Sequence, residues 1–197
     1  MIGGLVLAAG GGSRFGGPKQ LAELDGKPLV SHAVDAMLAV PAIEHVVVVV
    51  GARGEEVARA LDPEAVQVHF AEGWEEGMAA SLRAGIEVLE GCEAVIITLA
   101  DQPFITSQVI AAIVDHVDGR APAARATYRG APGHPVMIKR SLYEDVARLR
   151  GDQGARNLLD DVGARTLECG HLANPLDVDT QTDLELARRE RVARMEA

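Results

Sequence analysis

A run of five consecutive valines, Val46–Val50, is the sequence feature that most limits how this chain can fold. β-branched residues favour strands, and a strand that is apolar on both sides of its pleat has to be covered on both faces. Parallel sheets that lie between two layers of helices provide that environment. The segment Ala94–Leu99 is almost as apolar. The two segments therefore predict a buried, mostly parallel sheet.

Helical patterns alternate with such apolar runs along most of the chain. The predicted strands are Ile2–Ala9, Val46–Val50, Ala65–Phe70, Ala94–Leu99, a short strand near Ala124–Tyr128, and Val136–Ile138. The predicted helices are Pro28 to about Val40, Glu55–Leu61, Gly77–Glu90, about Thr106–Val117, Ser141–Leu149, Gln153–Asp160 and a terminal helix that ends over Ala187–Met195. This alternation predicts a single α/β domain over residues 1–197, a three-layer α/β/α sandwich with a Rossmann-like sheet. Ligands are then expected at the carboxyl ends of the strands.

A glycine-rich loop with two cations follows the first predicted strand. Residues 7–19 read Leu-Ala-Ala-Gly-Gly-Gly-Ser-Arg-Phe-Gly-Gly-Pro-Lys. Glycines let backbone N–H groups approach phosphate oxygens, while Arg14 offers a fork of donors and Lys19 a compact charge. The residues predicted to bind a nucleotide here are Leu7, Ala8, Ala9, Gly10, Gly11, Gly12, Ser13, Arg14 and Lys19.

The spacing of this loop excludes the two common phosphate-binding motifs. A Walker A loop needs Lys directly after its last glycine, but Pro18 separates Gly17 from Lys19. A dinucleotide fingerprint that starts at Gly10 would place Phe15 where the third glycine is required. The loop therefore predicts a phosphate site of another kind.

A carboxylate at the end of a second apolar strand is the next strong signal. Asp101, in Leu99-Ala100-Asp101-Gln102-Pro103, leaves the predicted strand towards the same edge as the loop. Phosphoryl chemistry needs a divalent cation, and carboxylates are Mg²⁺ ligands, so we expect Asp101 to bind Mg²⁺. Capping of the next helix is the alternative role, but Thr106 is the better cap.

A second metal ligand is expected from the C-terminal region. Strand alternation in Asp177-Val178-Asp179-Thr180 would put both aspartates on one face. Asp179 is the first choice as partner of Asp101 and Asp177 the second. Helix capping by the Asp-Thr pair is the competing interpretation.

Three further residues are candidates for substrate contacts. Ser81 lies in the first turn of a predicted helix, where its hydroxyl group can meet a base or ribose. His134, in a loop next to a glycine, and Arg156, near a predicted helix start with Asp152 as N-cap, are candidates for binding an anionic acceptor. An ordinary surface histidine and a structural arginine remain the alternatives.

Composition limits the possible classes of protein. The net charge of the 197 residues is −10, which argues against nucleic acid as a partner, since that requires a basic face. Cys92 and Cys169 are too few for a disulfide framework. No apolar run approaches the roughly 18–20 residues that span a bilayer, so we expect a cytoplasmic protein without a membrane partner.

In its motifs and their order the chain resembles the MobA-like nucleotidyltransferases, and within them the molybdenum cofactor cytidylyltransferase branch. The loop fits the pattern Leu-x-Ala-Gly-x-x-x-Arg-x-Gly-x-x-Lys, which disfavours a glycine-rich hairpin with incidental cations. The matching segments are residues 7–19, 77–82, 99–103, 133–136, 151–156 and 177–180, the last followed by Asp183-Leu184. Leu7-Ala8-Ala9-Gly10 differs from the Leu-Ala-Gly-Gly start of the guanylyl branch, and this difference indicates CTP.

The resemblance implies that CMP passes from CTP to the phosphate of molybdopterin cofactor with release of pyrophosphate. It implies that Arg14 and Lys19 hold the triphosphate and that Asp101, with Asp179 or Asp177, holds Mg²⁺. A molybdoenzyme or its chaperone is a further partner that this chemistry suggests. The alternatives are GTP as donor, a sugar phosphate or methylerythritol phosphate as acceptor, a non-catalytic nucleotide-binding or cofactor-binding module, and an NAD-dependent oxidoreductase.

Overall fold

The computed structural model describes residues 1–117, 121–152 and 155–195. Within these residues there are nine strands: β1 (Ile2–Ala8), β2 (Glu23–Leu24), β3 (Lys27–Pro28), β4 (Ile43–Val50), β5 (Gln67–Phe70), β6 (Ala94–Leu99), β7 (Ala123–Tyr128), β8 (Ala131–Lys139) and β9 (Arg165–Glu168). The same residues form seven α-helices: α1 (Leu29–Leu38), α2 (Gly54–Arg59), α3 (Met78–Val88), α4 (Ser107–His116), α5 (Tyr143–Arg148), α6 (Arg156–Asp161) and α7 (Gln181–Met195).

Seven of these strands form one sheet in the order β5-β4-β1-β6-β8-β7-β9. All its neighbouring pairs are parallel except the two that involve β8, which runs antiparallel to β6 and to β7. The predicted mostly parallel sheet is confirmed. Its first strand lies between β4 and β6, so the loop after β1 emerges near the middle of the carboxyl edge.

Two apolar cores cover the two faces of the sheet. On one face, Val6, Val48 and Ile96 pack with residues of α1, α2 and α4. On the other face, Leu5, Val47 and Val95 pack with residues of α3, α5 and α6. Alternate residues of each central strand thus enter different cores, which explains why the buried stretches of these strands are apolar at consecutive positions. The three-layer α/β/α sandwich is confirmed.

A third apolar cluster lies beside the carboxyl edge and matters for the site. It joins Leu24, Leu29 and Phe104 to Val178 and to Leu184 of α7, and Phe15 from the glycine loop packs against it. The cluster therefore ties the glycine loop, the β2–β3 hairpin and the start of the terminal helix together.

The structure corrects several predicted elements. β8 extends over nine residues and is antiparallel to both neighbours, whereas the predicted strand covered only Val136–Ile138. β9 was not predicted, because it is a short and mostly exposed edge strand without an apolar run. Asp177–Asp179 is not a strand. The predicted helix Gln153–Asp160 begins instead at Arg156, and residues 153 and 154 lie outside the described ones.

Within the described part of the chain, none of the helices is both long enough and apolar enough to cross a bilayer.

Candidate active site

The ammonium group of Lys19 lies between two carboxylates from distant parts of the chain. Its Nζ is 2.5 Å from Asp101 Oδ2 and 2.6 Å from Asp179 Oδ1, across 82 and 160 residues of sequence. The Lys19 side chain is only 13% exposed and that of Asp101 only 17%. Charged groups with so little contact with water require partners. The loop after β1, the end of β6 and the segment before α7 therefore meet at one point.

Arg14 completes this group of charges from the solvent side. Its guanidinium group is 2.9 Å from Asp179 Oδ2, and its side chain is 74% exposed. Asp179 thus receives Lys19 on one carboxylate oxygen and Arg14 on the other. The two loop cations share one carboxylate.

Asp179 can form ion pairs with these cations because neighbouring residues cap the terminal helix. Thr180 Oγ1 accepts a hydrogen bond from the Asp183 N–H (3.2 Å), and the Asp183 carboxylate accepts from the Thr180 N–H (2.8 Å) and hydroxyl group (2.7 Å). This reciprocal arrangement is a capping box. Capping and contact with the loop cations therefore fall to different residues, since Thr180 caps the helix and Asp179 contacts Lys19 and Arg14.

Backbone and side-chain contacts hold the segment after β6 (Asp101 and Gln102) against the segment before α7 (Asp177–Asp179). The Val178 N–H donates to the Asp101 carbonyl at 2.9 Å, and the Val178 side chain is buried in the third cluster. Gln102 Nε2 donates to Asp177 Oδ1 at 2.8 Å. The structure therefore places Asp179 against Lys19 and engages Asp177 with Gln102. Thr106, as expected, caps α4 through its hydroxyl group.

Electrostatics within the group favour the charged form of Lys19. Its partial burial acts to lower the pKa of the ammonium group. The nearby charge of Asp101 and the hydrogen bonds to Asp101 and Asp179 act in the opposite sense and leave the pKa of Lys19 above its ordinary value of 10.5. Lys19 is therefore a fixed positive charge at the strand ends.

The glycine loop is shaped by its own backbone. The Gly12 carbonyl accepts hydrogen bonds from the N–H groups of Phe15 (3.0 Å) and Gly16 (3.0 Å). Gly12 has φ +62°, and a Cβ there would lie 2.0 Å from the Gly17 carbonyl oxygen, so only glycine fits.

Two residues anchor this loop to the body of the protein. Phe15 packs into the third cluster, and its carbonyl accepts from Gln181 Nε2 at 3.3 Å. Gln20, only 2% exposed, donates from Nε2 to the carbonyls of Ala8 (2.8 Å) and Gly10 (2.6 Å). Gln20 was missed at the sequence level, because a glutamine carries no motif signal and its role depends on two backbone carbonyls.

A cleft of about 420 Å³ opens next to the charge group. Of the ten residues predicted to bind a nucleotide, seven line it: Leu7, Ala9, Gly10, Gly11, Arg14, Lys19 and Ser81. Ala8 is buried in the core beneath, and Gly12 and Ser13 lie further along the loop. Ser81, the fourth residue of α3, is buried to 5% exposure at the cleft wall. Asp101 lines the cleft too.

The cleft also contains residues that the sequence did not predict to contact a ligand. The cleft is also lined by Trp74, Glu75, Gly77, Met78 and Asp152. Trp74 packs close to the backbone of Gly11 and Gly51 and faces the cleft at the same time. Asp152 does not cap a helix as predicted, because α6 begins at Arg156 with Ala155 in the cap position.

The two residues predicted to bind the acceptor, His134 and Arg156, do not line this cleft. His134 is half-buried, and its carbonyl accepts from the Tyr128 hydroxyl group at 2.7 Å. Burial lowers the pKa of His134 to about 4, although the charge of Asp101 acts in the opposite sense, so the imidazole is neutral at pH 7. Arg156 is exposed at the start of α6.

One carboxylate oxygen of Asp101 has no partner in the described part of this structure. Its Oδ1 is buried and has no hydrogen-bond partner among the described residues, although its Oδ2 contacts Lys19. A buried carboxylate oxygen without a partner is costly unless a cation or donor meets it. Within the described residues, no group of three or more His, Cys, Asp or Glu side chains is arranged as a metal site. A metal ion held here by Asp101 and Asp179 would need its remaining oxygen ligands from a substrate or water, as is usual for Mg²⁺.

A mostly parallel sheet with a cationic glycine loop after its first strand and paired carboxylates at the same edge defines a Rossmann-like nucleotidyltransferase. A sequence model of the MobA-like NTP transferase domain matches residues 4–167. The chain therefore belongs to the MobA-like NTP transferase family.

Two relatives are similar to this chain over almost their whole length. Nicotine blue oxidoreductase from Paenarthrobacter nicotinovorans is 32% identical over 187 residues, which cover 90% of this chain and 91% of the relative. Purine catabolism protein PucB from Bacillus subtilis is 29% identical over 208 residues, 94% of this chain and 95% of the relative. The names of these relatives differ in the activity that they state.

Solved structures agree with the fold. Rv0371c from Mycobacterium tuberculosis H37Rv superposes with a TM-score of 0.85 at 28% identity, covering 95% of this chain and 97% of that one. A complex of Rv0371c with manganese has a TM-score of 0.80 at 25% identity, covering 95% and 98%.

Proposed function

We propose that this protein transfers CMP from CTP to the phosphate of a molybdopterin-type acceptor and releases pyrophosphate. The observation that carries the proposal is the contact of Lys19 with both Asp101 and Asp179 at the mouth of the glycine loop. Two cations and two carboxylates at the edge of a nucleotide-sized cleft are what a triphosphate with its metal ion requires.

The chain's residues act by holding and neutralising charge. Arg14 and Lys19 exchange their carboxylate partners for triphosphate oxygens and stabilise the negative charge that grows on the leaving pyrophosphate. An oxygen of the acceptor phosphate attacks the α-phosphorus in line, and the bond from that phosphorus to the oxygen bridging to the β-phosphate breaks. A phosphoanhydride bond forms as another is lost, and no protein nucleophile takes part. Positioning supplies most of the rate enhancement.

Asp101 and Asp179 are the residues that would hold the metal ion. The partnerless Oδ1 of Asp101 supports this assignment, and so does the manganese complex of the similar Rv0371c. When bound, Mg²⁺ supplies positive charge that offsets the charge of the phosphates. Both oxygens of Asp179 are engaged, one by Lys19 and one by Arg14, so at least one of these cations would have to move to the triphosphate before Asp179 could hold the ion.

CTP is the proposed donor because of residue 9. This chain has Ala9 at a position where the guanylyl branch has glycine, and it resembles that branch less. The acceptor is taken from the same resemblance, as is delivery of the product to a molybdoenzyme or its chaperone. GTP as the donor and a sugar phosphate or methylerythritol phosphate as the acceptor are the alternatives within the same chemistry.

A test of the proposal is pyrophosphate release by the purified protein. CTP, GTP, UTP and ATP are each supplied with molybdopterin cofactor, with a sugar phosphate and with methylerythritol phosphate, in the presence of Mg²⁺. We expect release only with CTP and the pterin acceptor, and loss of release in Asp101→Asn. An Asp101→Asn variant that keeps full nucleotide affinity, together with no turnover by the wild type, would favour a non-catalytic binding module.

A specific observation favours a second candidate, an oxidoreductase. The relative from Paenarthrobacter nicotinovorans is named as one, and the similarity covers 90% of this chain. The loop spacing does not match the dinucleotide fingerprint. Titration of the protein with NADH and NADPH, followed by nucleotide fluorescence, distinguishes the two functions. Saturable binding of either dinucleotide, with no pyrophosphate release from any triphosphate, would support the oxidoreductase.

A further inference from the structure

The cleft has two chemically different walls on either side of β1. Asp101 follows β6 on one side of β1, while the wall formed by Trp74, Gly77 and Ser81 follows β5 on the other side. The phosphate-binding cations and the carboxylates lie towards the β6 side. A nucleotide whose phosphates are held there therefore places its base towards the β5 wall.

Asp152 reaches this second wall from a distant loop. The Ala79 N–H donates to the Gly151 carbonyl at 3.0 Å, which fixes residues 151 and 152 at the start of α3. A Cβ on Gly77 would lie 2.5 Å from Asp152 Oδ1, so the carboxylate lies directly against the Gly77 backbone. Gly77 has φ +111°, and both its conformation and this contact require glycine.

The Asp152 carboxylate has no structural task among the described residues. It forms no hydrogen bond or ion pair with them, in contrast to Asp101 and Asp179. It does not cap α3, because no side chain of the described residues accepts a hydrogen bond at the start of this helix, where the N–H groups of Ala79 and Ala80 donate to the carbonyls of Gly151 and Gly77. Both oxygens of Asp152 are thus available to a ligand in the cleft.

We propose that Asp152 recognises the base of the nucleotide by accepting a hydrogen bond from its exocyclic amino group. This inference deepens the proposed function and rests on it, since a nucleoside triphosphate must occupy the cleft. An ionised carboxylate only accepts hydrogen bonds. Cytosine presents an amino group at C4, and uracil presents a carbonyl oxygen there, which the carboxylate repels. Asp152 thereby selects CTP over UTP, two ligands that are otherwise alike in size and charge.

Trp74 makes the inference directly measurable. It is the only tryptophan of the chain and lines the cleft, so its fluorescence reports nucleotide binding without any turnover. Dissociation constants for CTP and UTP are measured on the full chain, with calorimetry as a second method. Because Asp152 is exposed, we expect the wild type to prefer CTP by about tenfold, the lower end for a hydrogen bond to a charged group.

Asp152→Asn is the decisive variant, because an amide can donate as well as accept. We expect it to weaken CTP and strengthen UTP, which brings the ratio of their dissociation constants towards one, and Asp152→Ala to lower the ratio through loss of CTP affinity alone. Asp161→Asn is the matched control, since Asp161 is an exposed aspartate at the end of α6. It removes the same charge and should leave the ratio unchanged.

The outcomes separate this inference from the proposed function. Equal weakening of CTP and UTP in Asp152→Asn, or an unchanged ratio, would overturn the role of Asp152 while nucleotide binding stands. A ratio that changes in Glu75→Gln but not in Asp152→Asn would assign base recognition to Glu75, and it would likewise overturn the proposed role of Asp152. Failure of the wild type to bind any nucleoside triphosphate would overturn the proposed function and this inference together.

Discussion

The Lys19 Nζ lies 2.5 Å from Asp101 Oδ2, although 82 residues separate the two in the chain. Both side chains come from segments that directly follow parallel strands, β1 and β6, which are neighbours in the sheet. A parallel sheet brings the ends of its strands to one edge, so a loop cation and a strand-end carboxylate meet there without any further folding device. This pair is the centre of the candidate active site.

Replacement of Lys19 by Met is expected to damage both activity and stability. Pyrophosphate release should fall by about 10²–10³-fold, as it does when one charge-stabilising donor is removed from an active site. The free energy of unfolding should fall by about 1.5–3 kcal/mol, because a mostly buried Asp101 loses a charged hydrogen-bond partner. A pyrophosphate assay and urea denaturation measure the two effects.

The double variant Lys19→Met with Asp101→Asn tests whether the stability loss comes from this pair. Removal of the unpaired charge should restore part of the stability that Lys19→Met alone loses. If the losses of the two single variants simply add, the two residues are not energetically coupled.

Arg14 is expected to matter for ligand binding and hardly at all for stability. Its side chain is 74% exposed, and exposed ion pairs contribute at most about 1 kcal/mol. Arg14→Gln should therefore unfold like the wild type but bind CTP about tenfold more weakly, and the affinity should depend less on salt. Arg59→Gln is the matched control, since Arg59 is 71% exposed and ion-paired on α2. A similar loss of affinity in both variants would show that only overall charge is involved.

Binding of Mn²⁺ distinguishes the two candidate partners of Asp101. Asp179 shares Lys19 with Asp101, whereas Asp177 accepts a hydrogen bond from Gln102. In the presence of CTP, Asp179→Asn should weaken Mn²⁺ binding by at least about tenfold, and Asp177→Asn should leave it near the wild-type value. Electron paramagnetic resonance of free Mn²⁺ gives the affinities. The reverse order would move the metal ligand to Asp177.

Chelation provides the corresponding activity measurement. EDTA should abolish pyrophosphate release, and addition of Mg²⁺ in excess should restore it. Turnover that persists in EDTA would contradict a metal-dependent transfer.

Glu168 is expected to make stability dependent on acid pH. Hydrogen bonds from the backbone N–H groups of Arg129, Gly130 and Gly170 and from the Thr127 hydroxyl group lower the pKa of Glu168 to about 2. Since the pKa is lower in the folded state, the stabilisation is complete above the ordinary value of 4.5 and is lost as the pH falls towards 2.

Glu168→Gln should therefore lower the melting temperature at pH 7, and the difference from the wild type should shrink between pH 4.5 and 2. Differential scanning calorimetry over this range measures it. Glu87→Gln, at an exposed position of α3, is the control. A difference that stays constant with pH would show that the effect of Glu168→Gln does not come from ionisation.

The sequence predicted the central strands and the place of the site for the same physical reason. Most of β1, β4 and β6 is buried on both faces, so these stretches, such as Val46–Val50, are apolar at consecutive positions and easy to recognise. Once these strands are taken as parallel, the residues that follow them must lie at one edge. Lys19 and Asp101 could be placed together on that ground alone.

The other parts of the site depend on contacts that have no sequence pattern. Gln20 binds two backbone carbonyls, and Asp152 reaches the cleft because the Gly151 carbonyl binds the start of α3. Neither contact follows from periodicity or residue type. The short edge strand β9 was missed for a related reason, since an exposed strand need not be apolar.

The cleft contains its own counterions, since the carboxylates of Asp101 and Asp179 pair with the cations of Arg14 and Lys19. Any anion that enters has to outcompete two carboxylates already in place, and it has to do so with its own oxygens. Inorganic phosphate offers few oxygens for that exchange, whereas a nucleotide with its accompanying cation offers new partners to both sides at once. We therefore expect the protein to bind inorganic phosphate much more weakly than the complete metal–nucleotide complex.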